Sequence, residues 1–423
     1  MTTGGLFPKN GKLAGVVGLT LVAVGCAAGG GETSSVAGQG ASRGAAWCEA
    51  GRVPLTLADG THPYVEPEAL IRVGSAFVVA GSPTYTWGFA PDGSTIRRSA
   101  NQHVAARFAL DGRATLIEPP IPGGIGSVRA VALGGERWGM LFDEIPQDSF
   151  PSWTVLRGLW YAEHDGQAWS AAEPLPLPDQ GTPDLSGATE LVRTDQGLLW
   201  ITPLRPTSTV VQYERRNGRW HHEVISDAQI EVSALAYRES AAWWAHFSED
   251  PDLPGRQQSL RLFRRGATWE LVQRVTVAGD GVKVRSPSVT PSPEGVTVSW
   301  RVESRGDLGA YAVVGIGEGA GGAPVALDPS VLGIMALNPP GGPPQWLVTH
   351  ADEATQSVQL RLLSPGSPFG PRRLADTPSP FVAFQAALAL SVNDVLVVGP
   401  EYDPEPPNSL LRSLILRLST SCT

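Results

Sequence analysis

Charge is scarce in this chain of 423 residues, and the little it carries leans acidic: charged residues make up 17% and the formal net charge is −9. That balance excludes a nucleic-acid binder, whose phosphate contacts need a basic footprint. Long helix-compatible stretches are missing, because 37 prolines recur about every dozen residues and break helices. Catalytic signatures are missing as well. There is no G-x-S-x-G, no H-E-x-x-H and no P-loop, and the seven histidines are scattered. His221 and His222 are adjacent on an expected strand, so they fall on opposite faces and cannot chelate one metal. Cysteine is reduced to Cys26, Cys48 and Cys422. What the chain does have is 49 glycines and 42% hydrophobic residues, a turn-rich β composition too apolar for a disordered chain. At this length the expectation is either two or three domains or one large repeat array.

The longest apolar run, LAGVVGLTLVAVG at 13–25, is too short for an ordinary membrane span. Lys9 and Lys12 precede it, and Gly25-Cys26 ends it. This resembles a bacterial lipoprotein signal, in which small residues precede a cysteine that is lipidated and becomes the first residue. Ala23-Val24-Gly25-Cys26 lacks the leucine usual three residues before the cysteine, and an ordinary secretory peptide is the alternative. The resemblance implies a signal peptide at 1–25, lipidation of Cys26 and a tether at 26–45. Ala27, where enteric-type lipoproteins kept at the inner membrane carry aspartate, implies an outer-membrane address in the cell envelope. The Gly/Ser/Ala-rich stretch 27–44 reads as a flexible linker.

From residue 46 onward the chain repeats. A tryptophan follows a turn inside short apolar strands at Trp138, Trp200, Trp244, Trp300 and Trp346, and a second hairpin follows each. First strands begin near Ala69, Ser127, Ala188, Val232, Ser288, Leu332 and Ala383, giving seven units of four strands. Units of that period fit an all-β, seven-bladed β-propeller over 46–423, with six or eight blades as alternatives. A large ring at one strand position suits packing between blades, with sugar stacking as the minor alternative. Trp169, Trp220 and Trp269, opening outer strands, read as packing residues too.

The stretch EHDGQAWS (163–170) resembles a degenerate Asp box, the S-x-D-x-G-x-x-W turn of sialidase-like propellers, through Asp165, Gly166 and Trp169. RRNGRW (215–220) and RRGATW (264–269) share only its glycine and tryptophan. The resemblance concerns a structural turn, so it bears on fold far more than on function. A sialidase would also need an arginine cluster, a tyrosine nucleophile and an F/Y-R-I-P element. That element is absent, since Arg72 sits in ALIRVG without the proline.

The expected site is therefore a surface. Connections at one face of the ring carry Tyr85, Trp87, Phe89, Phe150, Trp153 and Tyr402 beside Asp148, Asp250, Asp252 and Asp403. Exposed aromatics next to carboxylates suit a protein or glycan partner. Without a regular calcium loop, no metal and no cofactor is expected. The favoured reading is a monomeric, non-enzymatic envelope lipoprotein touching the membrane through its lipid alone; the alternative is a carbohydrate-active hydrolase or lyase.

The two ends of the repeat region complete the expectation. The seventh unit has three strands at its C-terminal end, and GRVPLTLAD (51–59) can supply the fourth. That arrangement brings Cys48 beside Cys422, and in an oxidising envelope the pair is expected to form a disulfide.

Overall fold

Short apolar stretches, cut by glycine, proline and Asp–Gly turns, fold here as antiparallel strands; every named element among the described residues is a β-strand. The computed structural model describes residues 47–65, 67–81, 85–89, 95–99, 104–121, 124–145, 158–185, 188–207, 209–226, 230, 232–249, 257–277, 283–292, 295–303, 308–316, 324–328, 331–352, 357–365, 371–381, 386–401 and 412–421. They lie in one unit, Ala45–Thr423.

The strands form consecutive sheets. The first runs from inner to outer strand as Ala69–Val73, Ala76–Ala80, Ala105–Phe108 and Ala114–Ile117. The second comprises Gly124–Gly134, Arg137–Ile145, Gly158–His164 and Glu173–Pro174. In the third, Val192–Thr194 and Thr182–Pro183 both pair with Gly197–Arg205, followed outward by Val210–Arg216 and Arg219–Ser226. The fourth holds Val232–Arg238, Ala241–Glu249, Gln258–Arg265 and Trp269–Val277. The fifth holds Lys283–Ser292, Gly295–Glu303, Leu308–Ile316 and Val325–Asp328. The sixth holds Val331–Leu337, Gln345–Asp352, Ser357–Pro365 and Pro371–Pro378. The last holds Ala386–Ser391, Asp394–Glu401, Arg412–Ser419 and, as its outer strand, Cys48–Pro54. Each inner strand contacts the inner strands before and after it, and the last meets the first. The result is a β-propeller around a central channel.

Cores form at the seams between sheets, and the recurrent tryptophans fill them. Trp138 lies in the cluster shared by the first and second sheets, Trp200 between second and third, and Trp244 between third and fourth. Trp300 continues the series between fourth and fifth, and Trp346 in the next. All five are at most 1% exposed. At the seam between last and first sheets, Phe77 and Phe108 take over, with ring centroids 5.6 Å apart. The packing reading of these residues therefore holds.

The Asp-box-like turn is structural. Asp165 Oδ1 accepts the N–H groups of Gln167 and Ala168, both at 2.8 Å, and Gly166 adopts a φ of +105°, a region that favours glycine. Trp169 then packs 4.8 Å from Trp138 and donates its indole N–H to Glu118 O of the first sheet at 2.8 Å. The turn thus staples two neighbouring sheets.

Strands from the two ends of the repeat region share the last sheet. Cys48–Pro54 pairs antiparallel with Arg412–Ser419, from Cys48 opposite Ser419 to Pro54 opposite Leu414. Beyond it the Leu55 N–H donates to Ser413 O, and Thr56 exchanges hydrogen bonds with Gly112 and Ala114 of the first sheet. The closing strand therefore begins before the expected GRVPLTLAD, because Leu55 and Thr56 are already spent on this crossing. A second difference is at 82–102, read above as a connection. It contains the paired strands Tyr85–Phe89 and Thr95–Ser99, a hairpin outside the main sheets. Cys26, Cys422, Asp148, Phe150, Trp153, Asp250, Asp252, Tyr402 and Asp403 lie outside the described residues.

A charged mouth on the central channel as candidate functional site

Antiparallel pairing puts the start of each inner strand and the end of its neighbour at one end of the ring. Two glutamates occupy corresponding places there. Glu68, just before the first inner strand, accepts the Val128 N–H of the second sheet at 3.0 Å through Oε2. Glu190, just before the third inner strand, accepts the Leu235 N–H of the fourth sheet at 3.2 Å. Each acid thus latches one sheet to an adjacent one.

Arg129 sits between them. Its guanidinium donates to Glu68 Oε2 at 3.3 Å, Leu185 O at 2.7 Å and Thr189 O at 3.3 Å, spanning three sheets. Asp143, near the end of Arg137–Ile145, completes the group, and its Oδ1 has no hydrogen-bond partner among the described residues. Burial pushes the Asp143 carboxyl up to about 6, helped by the Glu68 charge; the Ser127 N–H and Arg129 only partly offset this. Glu190 keeps some open surface while protein closes round it, and the resulting desolvation raises its pKa as well. Glu190 also lines a cavity of about 620 Å³ along the inner strands, with Tyr237, Thr290 and Asn338.

Two carboxyls held above their ordinary range beside one guanidinium can donate or accept hydrogen bonds according to pH. Asp143 gives this a sign. Its pKa is raised in the fold, so the protonated form is favoured; its stabilising contribution is complete below about 3.8 and is lost as pH rises through about 6. The shift corresponds to about 3 kcal/mol at most, reduced here to about 1–2 kcal/mol for residual solvation. Asp143→Asn is therefore expected to raise stability by about 1–2 kcal/mol at pH 7.5 and by nothing measurable at pH 4. Urea unfolding at the two pH values checks this; an equal effect at both contradicts the assignment.

Of the residues expected from sequence, Tyr85, Trp87 and Phe89 occupy alternate positions of the strand Tyr85–Phe89, with Arg97 in register opposite Trp87. The hairpin leaves the first sheet after Ala80, which pairs with Ala69 next to Glu68. It therefore springs from the mouth end of the ring. Glu68, Arg129, Asp143 and Glu190 were not singled out by sequence. The available signal was an acid one or two residues before an inner strand, in Glu68-Ala69-Leu70 and Glu190-Leu191-Val192.

No family model and no curated protein matches the sequence. Similar solved structures include a fucose-specific lectin from Aleuria aurantia, 12% identical, with 67% of this chain and 95% of the lectin covered and a TM-score of 0.38. An ulvan lyase is 10% identical over 87% of this chain and 94% of its own, with a TM-score of 0.48. A mutant Trypanosoma rangeli sialidase displaying trans-sialidase activity is 10% identical over 84% and 60%, with a TM-score of 0.39.

Proposed function

We propose that this protein is a non-enzymatic cell-envelope lipoprotein that presents one end of a seven-bladed propeller, each main sheet counted as a blade, to a polysaccharide. The observation that carries the reading is the hairpin Tyr85–Phe89/Thr95–Ser99, an addition to the sheets that springs from the same end as the charged mouth. An aromatic-bearing ribbon offers sugar rings an apolar surface, while carboxylates and a guanidinium serve their hydroxyls. Trp153, Phe150, Tyr402 and the acids Asp148, Asp250, Asp252 and Asp403 belong to the same proposal through their place in the sequence. Replacing Tyr85, Trp87 and Phe89 together by alanine is expected to weaken binding at least about tenfold, with the melting temperature unchanged. Retained affinity, or a large loss of stability, would remove the hairpin from the site.

The address rests on the signal-like segment ending at Cys26. Cys26→Ser is expected to abolish fatty-acid labelling and release the chain from membranes, since the multiple acyl chains of a lipoprotein anchor stably. Label surviving in the serine variant would overturn the anchor. We further propose a Cys48–Cys422 disulfide, supported by the pairing of Cys48 with Ser419, three residues before Cys422.

A second reading, a hydrolase or lyase, draws on the raised carboxyls of Asp143 and Glu190 at one mouth. Release of reducing ends or unsaturated sugars that disappears in Asp143→Asn and Glu190→Gln would favour it.

A further inference from the structure

The fourth sheet turns two chemically different halves toward the third. Away from the mouth the facing residues are apolar: Leu235, Trp244 and Phe263 pack with Leu199 and Ile201. Nearer the mouth the same face carries Ser233, His246, Ser248, Ser259 and Arg261. The register sets them side by side, with Ser233 and Arg261 flanking His246, and Ser248 opposite Ser259 in the next row. The two rows continue outward to Arg274 and Thr276, so they hold no carboxylate.

These serines and the histidine are deeply buried, with exposures of 8% for Ser233, 1% for His246, 2% for Ser248 and 0% for Ser259. Yet Ser233 Oγ, His246 Nδ1, Ser248 Oγ and Ser259 Oγ have no hydrogen-bond partner among the described residues. Buried polar groups are nearly always paired, so four adjoining orphans require an explanation. The imidazole is held neutral, its pKa pushed down to about 3 by burial and by the Arg261 charge. The hydroxyls can donate as well as accept, the guanidinium donates, and no carboxylate residue occupies these strand positions. Hydroxyls grouped about a guanidinium fit a ligand that brings oxygen acceptors and negative charge.

We infer that Ser233, His246, Ser248, Ser259 and Arg261 form a subsite for an oxyanion, the carboxylate or sulfate of an acidic sugar residue. Ser248 and Ser259 lie one residue from the strand ends Glu249 and Gln258, at the mouth end of the seam. The saccharide part of this inference rests on the polysaccharide reading above; the oxyanion part stands on the orphaned polar groups.

The test is titration of the full chain, by calorimetry and by melting temperature, at constant ionic strength. Sodium sulfate, sodium glucuronate and glucose are compared with sodium chloride. Sulfate or glucuronate is expected to bind saturably and raise the melting temperature, and glucose is not. Ser248→Ala/Ser259→Ala and Arg261→Gln should each weaken binding at least about tenfold. The serine pair keeps the shape of the seam and decides the matter if the arginine variant does not fold. Anion binding without retention of any acidic polysaccharide would uphold the subsite and refute the polysaccharide reading. Polysaccharide retention undiminished in the serine variant would do the reverse. No saturable anion effect, the same effect in both variants, or crystallographic density for water alone at high sulfate would overturn the subsite.

Discussion

Trp200→Ala is expected to destabilise the propeller by roughly 3–5 kcal/mol. The ring is fully buried at the seam between the second and third sheets, where Leu141, Leu159 and Tyr161 come from one sheet and Leu198, Val211 and Tyr213 from the other. Its indole N–H also donates to Thr189 O at 3.2 Å, so truncation leaves that carbonyl with the Arg129 donor alone. Adjacent sheets flank the seam, and it cannot collapse on the cavity without moving them. Leu271, 53% exposed on an outer strand, is the control; Leu271→Ala should stay within about 0.5 kcal/mol. Chemical unfolding measures both. A cost for Trp200→Ala below about 1 kcal/mol would mean that the tryptophans do not hold the sheets together.

The second large effect concerns the closing strand. Removing residues 1–54, compared with removing only 1–45, is expected to cost more than about 5 kcal/mol and to abolish cooperative unfolding. Without Cys48–Pro54 the strand Arg412–Ser419 becomes an open edge, and its core residues Leu414, Ile415, Leu416 and Leu418, now at most 3% exposed, meet water. Val53, packed on the Leu55–Phe77–Ile415 cluster, and Trp47, packed on the neighbouring one, are lost with it. The proposed disulfide adds to this closure. Reduction, or Cys48→Ser, is expected to lower stability by roughly 2–4 kcal/mol through the constraint it lifts from the unfolded chain. A non-reduced digest should yield the 48–422 peptide pair, and free thiols at both positions would refute the bridge. A cooperative fold in the chain lacking residues 1–54 would show that the closing strand is dispensable.

These two effects mark how far the sequence could be read. The tryptophan series was legible because seams of this kind need a large apolar body at the same strand position, and Trp138, Trp200, Trp244, Trp300 and Trp346 supply it once in each of five successive units. Closure was legible because the last unit lacked a strand and a spare one stood at the other end. The exact strand was not, since Leu55 and Thr56 look like strand residues until the crossing to Gly112 is seen. The hairpin at 85–99 was hidden by Gly88, Pro91 and Gly93, which read as loop residues. The charged mouth was not legible for a different reason. Arg129 meets Glu68 across 61 residues of chain, and a single glutamate before a strand is ordinary in composition. Ser233, His246, Ser248 and Ser259 alternate with apolar residues and so resemble a solvated strand face. Only the closed ring turns that face inward.

The central claim is that the mouth end of the ring binds a polysaccharide and does not cleave it. A glycan array probed with the purified 46–423 chain, with reducing-sugar and unsaturated-product release followed on the same ligands, tests this most directly. The account predicts retention of one class of saccharide, lost in the Tyr85/Trp87/Phe89 triple alanine variant, with no product released. Turnover of the retained saccharide, or retention of none, would contradict it.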